Sequence, residues 1–496
     1  MDQPTKGGHR NRGSLTTASL TLVPLDLKNS AVESPTLAPK AAWGSRVSCC
    51  RMSRISRSMA SKAVSMSTVC GSWALGAIFM RVKPNEHRVR SIRVVHIRVV
   101  ADDEDMTQHP VTLAHEARRY LHQHPGIGFA VDQAGEYIAR ICTSLGWTVT
   151  RGIGGTGVVA TLSRGSSPRS IGLRADTDGL PITEATGLDY ASDNLGAMHA
   201  CGHDGHMAML VGTAATLSAS PGFDGTVHMF FQPAEEPGTG AEAMIADDLF
   251  ARFPVEAVYG LHNIPGIPEG EFHVRSGPIM AAEDNFEISI AGRGGHASAP
   301  HLVIDPMIIG AELVLALQSI VSRSIDPLHA VVVSCTELVT DGARNAIPST
   351  VTIRGDVRTF TDEDSRLVEQ RIHEIAGGIA SAHRAGATVS YSRVFRPTVN
   401  DSACVAEFAA AATSALGEER VNADCQPITA SEDFAAYARE VPACFGFLGT
   451  GIISAEGDGA TPLHSSIYDF NDAILEAGIA VYSSLVRSAL PDRTHS

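Results

Sequence analysis

The chain has 496 residues, of which 44% are hydrophobic and 19% are charged, and its formal net charge is −15. This length predicts two or three globular domains, and the acidic balance argues against a nucleic-acid partner, because phosphate backbones are bound by clustered Lys and Arg. The nine cysteines are scattered and odd in number, which argues against a disulfide scaffold and predicts a reducing, cytoplasmic location.

Residues 1–105 differ in composition from the rest of the chain. The first hundred residues contain 16 of the 39 Lys and Arg but only 4 of the 54 Asp and Glu. Their best apolar run, WALGAIFM (73–80), is too short to cross a bilayer and too far from Met1 for a signal peptide. We predict that this segment is a disordered extension. An interaction arm, a transit peptide and a misassigned start codon remain open as explanations. A start at Met52 or Met59 would allow a weak export signal.

From Met106 onward, helical and strand patterns alternate. Apolar residues at helical spacing predict helices, and short apolar runs predict strands, of which TVHMFFQP suits a buried central strand. The alternation predicts an α/β domain with a mostly parallel sheet. The predicted elements are helices at 111–125 and about 134–147, strands at 157–162 and 170–176, a helix at 204–218, and strands at 226–233 and 257–263.

The pattern then changes to one typical of a small α+β layer. NFEISIAGRGG alternates like a half-exposed strand, and it is followed by a helix (305–323), two strands, a helix (362–383) and the strand ATVSYSRVF. We therefore predict an inserted second domain, after which the first domain resumes and closes with a helix. The predicted boundaries are 106–284 and 395–496 for the first domain, 285–394 for the inserted domain and 472–489 for the closing helix.

Metal-binding side chains recur at the ends of the predicted strands. The stretch MHACGHDGHM (198–207) places three His, one Cys and one Asp in ten positions. A buried Cys, a surface Glu or a loop His means little alone, but ligands of open α/β sheets bind beyond the C-terminal ends of the strands, so their recurrence there predicts one shared site. The side chains are Asp176 and Asp178 after one strand, Glu235 and Glu236 after the next, His262 after a third, and Cys201 and His203 before a helix.

The residue types in this set indicate which cations they suit. Thiolate, imidazole and carboxylate ligands together favour Zn²⁺ above all, with Mn²⁺, Co²⁺ or Ni²⁺ as further options. Two such ions would need about five protein ligands plus water. The candidates are Cys201, His203, His262, one of Glu235 and Glu236, and, in PLHSSIYDFND after the strand FGFLG, His464.

A series of motifs resembles one family in order along the chain, from about residue 115 to 485. They are LHQHP, LRADTDGLP, MHACGHDGHMAMLVGTA, FFQPAEEPGTGAEAMI, GLHNIPGIPEGEF, GRGGHASAPH, SEDF and LHSSIYDFND. This set resembles the amidohydrolase branch of the dimetal aminoacylase and carboxypeptidase family, which contains hippurate hydrolases, hydrolases of indole-acetyl amino acid conjugates and N-acetyl-amino-acid deacetylases. The resemblance does not extend to residues 1–105.

The resemblance implies a role for each candidate residue. The metal ligands would be Cys201, His203, Glu236, His262 and His464. Glu235 would be the general base. The inserted domain would be a lid and dimerisation domain of a homodimer, in which His296 holds the substrate or its oxyanion across the interface and Asn345 is a further substrate contact. Asp178, which falls where related enzymes have the aspartate of a His-x-Asp motif, is a third substrate-binding candidate, and Asp176 stands in place of that histidine.

The reaction implied is hydrolysis of an N-acyl amino acid or a related small amide, with no nucleic acid or membrane as partner. Two divalent ions, Zn or Mn first and Co or Ni as alternatives, would acidify a water molecule, and Glu235 would take its proton and return it to the departing nitrogen. The segments ADTDGLP, ARNAIP and HSSIYDF depart from commoner family forms, which leaves substrate preference open. The alternatives are a dipeptidase or carboxypeptidase, a hydrolase of N-carbamoyl or aryl-amine C–N bonds, and a metal-binding protein without turnover.

Overall fold

The structure is a computed structural model that describes residues 109–453 and 459–492 and the backbone of two short strands near the N-terminus. The chain divides into two units, residues 1–102 and 103–496. In the first unit, the strands Val64–Ser67 (β1) and Ala77–Met80 (β2) pair antiparallel. The predicted disordered extension otherwise lies outside the described residues and stays a prediction.

The second unit contains the helices and strands that the sequence patterns predict, together with several short elements. Its helices are α1 (Pro110–Gln123), α2 (Asp132–Ser144), α3 (His203–Ala219), α4 (Gly240–Ala246), α5 (Leu249–Arg252), α6 (Pro306–Arg323), α7 (Asp362–Ala382), α8 (Ser402–Leu416), α9 (Tyr437–Glu440) and α10 (Leu475–Ala489). Its strands are β3 (Thr148–Ile153), β4 (Gly157–Arg164), β5 (Ser170–Asp176), β6 (Gly225–Gln232), β7 (Ala257–Ile264), β8 (Phe272–His273), β9 (Gly277–Met280), β10 (Ala282–Ala291), β11 (Gly295–His296), β12 (Val332–Thr340), β13 (Ala346–Ile347), β14 (Thr350–Thr359), β15 (Gly386–Phe395), β16 (Thr398–Asn400), β17 (Val421–Asn422) and β18 (Ala443–Gly449).

The larger sheet has eight strands in the order β17-β8-β18-β7-β5-β6-β4-β3. Its central strands β18, β7, β5 and β6 run parallel, whereas β4 and β3 continue the sheet antiparallel. Every residue of β5 and of β18 is buried, as expected for strands covered by helices on both faces. The predicted α/β class with a mostly parallel sheet is confirmed, with an antiparallel edge that the prediction did not specify.

Two hydrophobic clusters cover the two faces of this sheet. One contains buried residues of α1, α3, α8 and α10, such as Leu121, Leu210 and Phe408. The other contains buried residues of α4 and the segment around α9, such as Met244 and Tyr437. The parallel strands therefore lie inside a three-layer arrangement, and the edge where their C-terminal ends meet is left for a binding site.

A second sheet has four antiparallel strands in the order β12-β14-β10-β15. Helices α6 and α7 bury residues such as Ile309, Leu313, Val368 and Ile372 against one face of it. In β10 and β14, buried residues alternate with more exposed ones, so the face away from the helices is the solvated one. This sheet has the element order predicted for the α+β layer.

Helix α6 has the length and apolar composition of a membrane span, and among the described helices it alone passes that test. One third of its residues are buried, and those residues include Ile309, Leu313 and Leu317, which pack in the core of the second sheet. A single helix of this kind among the described residues is weak evidence for a membrane span.

We expect His228 in β6 to make the stability of the fold fall in mild acid. Burial lowers the pKa of His228 to about 4, whereas an unfolded His titrates near 6.5. Between these pH values the unfolded chain binds a proton that the folded chain does not, so the free energy of unfolding declines as the pH falls through this window. Above the window His228 is neutral in both states and causes no such loss of stability. The measurement is urea unfolding of chelator-treated protein at pH 7 and pH 5.

His228→Gln should flatten this decline by up to about 1.4 kcal/mol per pH unit. His301→Gln, at an exposed His, is the matched control and should keep the wild-type pH dependence. Equal slopes for wild type and His228→Gln would contradict the assignment.

Candidate metal centre

The C-terminal ends of β5, β6 and β7 lie side by side and carry acidic and imidazole side chains. Asp176 at the end of β5 pairs in register with Gln232 at the end of β6, and Glu235 and Glu236 follow β6 directly. His262 lies near the end of β7, which pairs with β5. The sheet topology thus brings together side chains that are far apart in sequence.

Two further segments reach the same edge through unusual backbone conformations. Cys201 and His203 flank Gly202, whose φ of 91° is in the left-handed region, and a Cβ there would lie 2.5 Å from Asn263 Oδ1, so glycine is required. His464 has a φ of 63°, and its N–H donates a hydrogen bond to Ala200 O at 2.8 Å. This backbone contact ties the C-terminal segment to the residue before Cys201.

The five predicted ligands form overlapping groups whose candidate ligand atoms lie within 4.8 Å of one another. The groups are Cys201 with His203 and His262, Cys201 with Glu236 and His464, and His203 with Glu235 and Glu236. The individual separations include 3.5 Å from Cys201 Sγ to His262 Nε2, 4.0 Å from His203 Nε2 to Glu236 Oε1, and 3.8 Å from His464 Nε2 to Glu236 Oε1. These distances leave space between the ligand atoms for cations.

The hydrogen bonding around these side chains fits metal ligation. His203 Nδ1–H donates to Asp178 O and His262 Nδ1–H donates to Asn263 O, both at 2.8 Å, which leaves each Nε2 as the ligand atom. His203 Nε2 and Glu236 Oε1 are buried, and neither has a hydrogen-bond partner among the described residues. Buried polar atoms are rarely left unsatisfied, so a cation at this position would account for both.

The electrostatics of the site also favour a cation. Burial raises the pKa of the Cys201 thiol above its usual range and raises the pKa of Glu236 to about 7. Burial, together with the nearby Glu432, raises the pKa of Glu235 well above its ordinary value. Thiolate and carboxylate forms are thus disfavoured in this pocket unless positive charge compensates them, which a divalent ion does.

Asp178, predicted to contact substrate, lies beneath the site. It is fully buried, and its carboxylate accepts hydrogen bonds from the N–H groups of Glu235 at 3.0 Å and Glu236 at 3.3 Å. Both carboxylate oxygens therefore hold the backbone that presents the two glutamates. This geometry favours an orienting role for Asp178 over direct contact with substrate.

His296 and Asn345 lie together beside the second sheet. His296 in β11 pairs with Ala346 in β13, and Ala297 N–H donates to Asn345 O at 3.0 Å. Both residues are exposed, and in the part of the chain that the structure describes no hydrogen bond or ion pair joins them to the five ligands. The structure therefore brings these two residues to each other.

Comparison with known proteins gives the family. The model of peptidase family M20/M25/M40 matches residues 172–488. The chain belongs to this family. It is 38% identical over 368 residues to a hippurate hydrolase of Campylobacter jejuni, covering 74% of this chain and 94% of that protein, and 38% identical over 372 residues to an N-acetyl-L-cysteine deacetylase of Bacillus subtilis, covering 75% and 86%.

A solved structure gives the same assignment. A dinuclear metal binding peptidase of the M20 family from Bacillus subtilis is 30% identical and has a TM-score of 0.65, with 76% of this chain and 97% of that chain covered. The predicted family and the predicted class of enzyme, an amidohydrolase, are confirmed by these relatives.

The acidic residues of the SEDF motif in this M20 chain, Glu432 and Asp433, are not among the predicted site residues. Both residues are buried, and each has a carboxylate oxygen within 4.8 Å of a carboxylate oxygen of Glu235. Both accept hydrogen bonds from the buried Arg174 of β5, at 2.9 and 3.0 Å. The pair follows no predicted strand, so a search for polar side chains at strand ends could not find it. The SEDF motif was the signal that could have indicated these residues.

Proposed function

We propose that this M20 enzyme hydrolyses the amide bond of N-acyl amino acids or related small conjugates, releasing a carboxylate and an amine. The proposal gives it two divalent ions, Zn or Mn first and Co or Ni as alternatives. The observation that carries it is the convergence of one thiol, three imidazoles and a carboxylate beside a buried glutamate. The proposed ligands are Cys201, His203, Glu236, His262 and His464, and the glutamate is Glu235.

Glu235 is the proposed general base, and its surroundings support that role. Its carboxylate is buried and lies 3.9 Å from His203 Nε2, next to the proposed ligands. Divalent ions, when bound, acidify a water molecule and polarise a carbonyl oxygen. Glu235 would accept the proton of the attacking water and return it to the amide nitrogen as the C–N bond breaks.

We assign the substrate contacts of His296 and Asn345 to the neighbouring subunit of a homodimer. Support comes from their lack, among the described residues, of any hydrogen bond or ion pair with the five proposed ligands. Apolar side chains are also exposed on α6 and β12 of the same sheet layer, such as Ile308, Leu315 and Leu338. β12 also ends the second sheet without a further partner strand among the described residues. An apolar helix face beside an open sheet edge is suited to pairing with a second copy.

We propose that the lid domain spans 285–394 and that the catalytic domain consists of the two flanking parts, 106–284 and 395–496. The cytoplasm is the proposed location. The cysteines that the structure describes are free, which suits a reducing compartment.

A panel of substrates tests the proposal against its rivals. Hippurate, N-acetyl amino acids, dipeptides and N-carbamoyl amino acids would be assayed side by side with protein beginning at Met106, and the metal content would be measured on the same sample. We expect the N-acyl amino acids to be turned over with the highest kcat/KM. Preferred cleavage of dipeptides or carbamoyl compounds would favour those functions instead, and metal binding without any turnover would favour a binding protein.

A further inference from the structure

His206 is the last histidine of the metal-rich stretch and is not one of the five proposed ligands. It lies one turn along α3 from His203 and is 2% exposed. Its ring packs against the rings of two proposed ligands, with centroids 5.4 Å from that of His203 and 4.6 Å from that of His262. It is therefore close enough to influence the site without any role yet assigned to it.

Both ring nitrogens of His206 are occupied by protein atoms. Nδ1 lies 2.6 Å from Asp176 Oδ1, and because a carboxylate only accepts, Nδ1–H is the donor. Nε2 lies 2.5 Å from Asn263 Oδ1 and 3.2 Å from the Asn263 backbone N. A third geometric group of candidate ligands contains Asp176, His203 and His206, but ligation by His206 would require it to give up one of these short contacts.

The contacts of His206 belong to a longer buried chain of hydrogen bonds beneath the metal cluster. On one side, Arg174 donates to Asp176 Oδ2 at 2.8 Å and also to Glu432, which lies beside Glu235. On the other side, Asn263 Nδ2–H donates to the hydroxyl of Tyr468 at 2.7 Å, four residues beyond His464. The chain thus connects the SEDF segment to the segment that carries the fifth ligand, and His206 is its middle link.

We propose that His206 is a positioning residue that fixes the orientation of the ligands His203 and His262, an inference that rests on the proposed metal centre. Its ring stacks directly on that of His203, with an angle of 30° between the two ring planes. It also holds Asn263, whose carbonyl oxygen receives Nδ1–H of His262. Residues that hydrogen-bond around ligands in this way change metal affinity by about 10- to 100-fold when they are substituted.

Two amide variants test each side of the ring. His206→Asn retains a donor near the position of Nδ1 and loses the contact with Asn263, whereas His206→Gln reaches the position of Nε2 and loses the bond to Asp176. The probe is Zn²⁺ alone, with affinity from competition against a chromophoric chelator and stoichiometry from the metal content of the purified protein. His301→Gln, at an exposed and distant His, is the control.

We expect both variants to bind as many Zn²⁺ ions as wild type but about 10- to 100-fold more weakly. Because each variant leaves one buried partner of His206 without its hydrogen bond, the unfolding midpoint of the chelator-treated protein should fall as well. Affinity within about 2-fold of wild type in both variants would overturn the inference, as would the loss of one ion per chain, which would make His206 a ligand. A fall in the unfolding midpoint with unchanged affinity would also overturn it. Failure of wild type to bind Zn²⁺ would instead overturn the proposed metal centre itself.

Discussion

Glu235→Gln is expected to lower kcat for N-acyl amino acid hydrolysis by at least about 100-fold, the lower range for loss of a general base. The amide is nearly the same size as the carboxylate, so the pocket should keep its shape, but it cannot accept the proton of water. Because the proposed ligand is the adjacent Glu236, bound metal should remain at the wild-type stoichiometry. Steady-state kinetics and metal content, measured on the same protein, check both parts.

Glu242→Gln is the matched control for this variant. Glu242 lies in the first turn of α4, a few residues after Glu236, and its side chain is exposed. It should retain wild-type kcat and metal content. Full turnover by Glu235→Gln would remove Glu235 from its proposed role, and loss of metal from that variant would show that Glu235 is a ligand.

Cys201→Ala is expected to remove most of the stabilisation that the metal gives to the fold. A ligand that binds only the folded state raises the free energy of unfolding by about 2.7 kcal/mol when its free concentration is 100 times Kd. Cys201 Sγ belongs to two of the overlapping ligand groups, so its loss should weaken binding at both and abolish most of this increment at the same Zn²⁺ concentration. The measurement is urea unfolding with and without Zn²⁺, with activity followed in parallel.

Cys335→Ala provides the comparison, because Cys335 is a free, half-buried cysteine in β12 of the second sheet. It should keep the full Zn²⁺-dependent increment. If Cys201→Ala were stabilised by Zn²⁺ as much as wild type is, the thiol would have no part in binding.

Much of the fold could be predicted because long elements carry clear patterns. The buried run of β5 and the helical spacing of α6 and α7 each placed an element to within a few residues. β3 was missed because TVTRGI, an edge strand, mixes polar and apolar residues without regular alternation. The strands of two to four residues, such as β8 and β16, are defined by their partners in the sheet and have no pattern of their own.

The candidate site could be predicted to the extent that it depends on strand ends. Glu235 follows the parallel strand β6 and His262 lies near the end of the parallel strand β7, so their proximity follows from the topology of the sheet. His206 and Glu432 could not be given roles in this way, because their partners are distant in sequence and depend on side-chain direction. Asp178 was placed at the correct edge, but only the structure shows that its carboxylate points to the backbone of the glutamates.

The spread of the proposed ligands along the chain determines when in synthesis the metal site becomes complete. The five side chains begin at Cys201 and end at His464, and the whole second sheet lies between them along the chain. A polypeptide still emerging from the ribosome has only some of the proposed ligands until the segment that carries His464 is released. Full-affinity metal binding should therefore come late in maturation, and a product truncated before residue 464 should bind the metal ions incompletely.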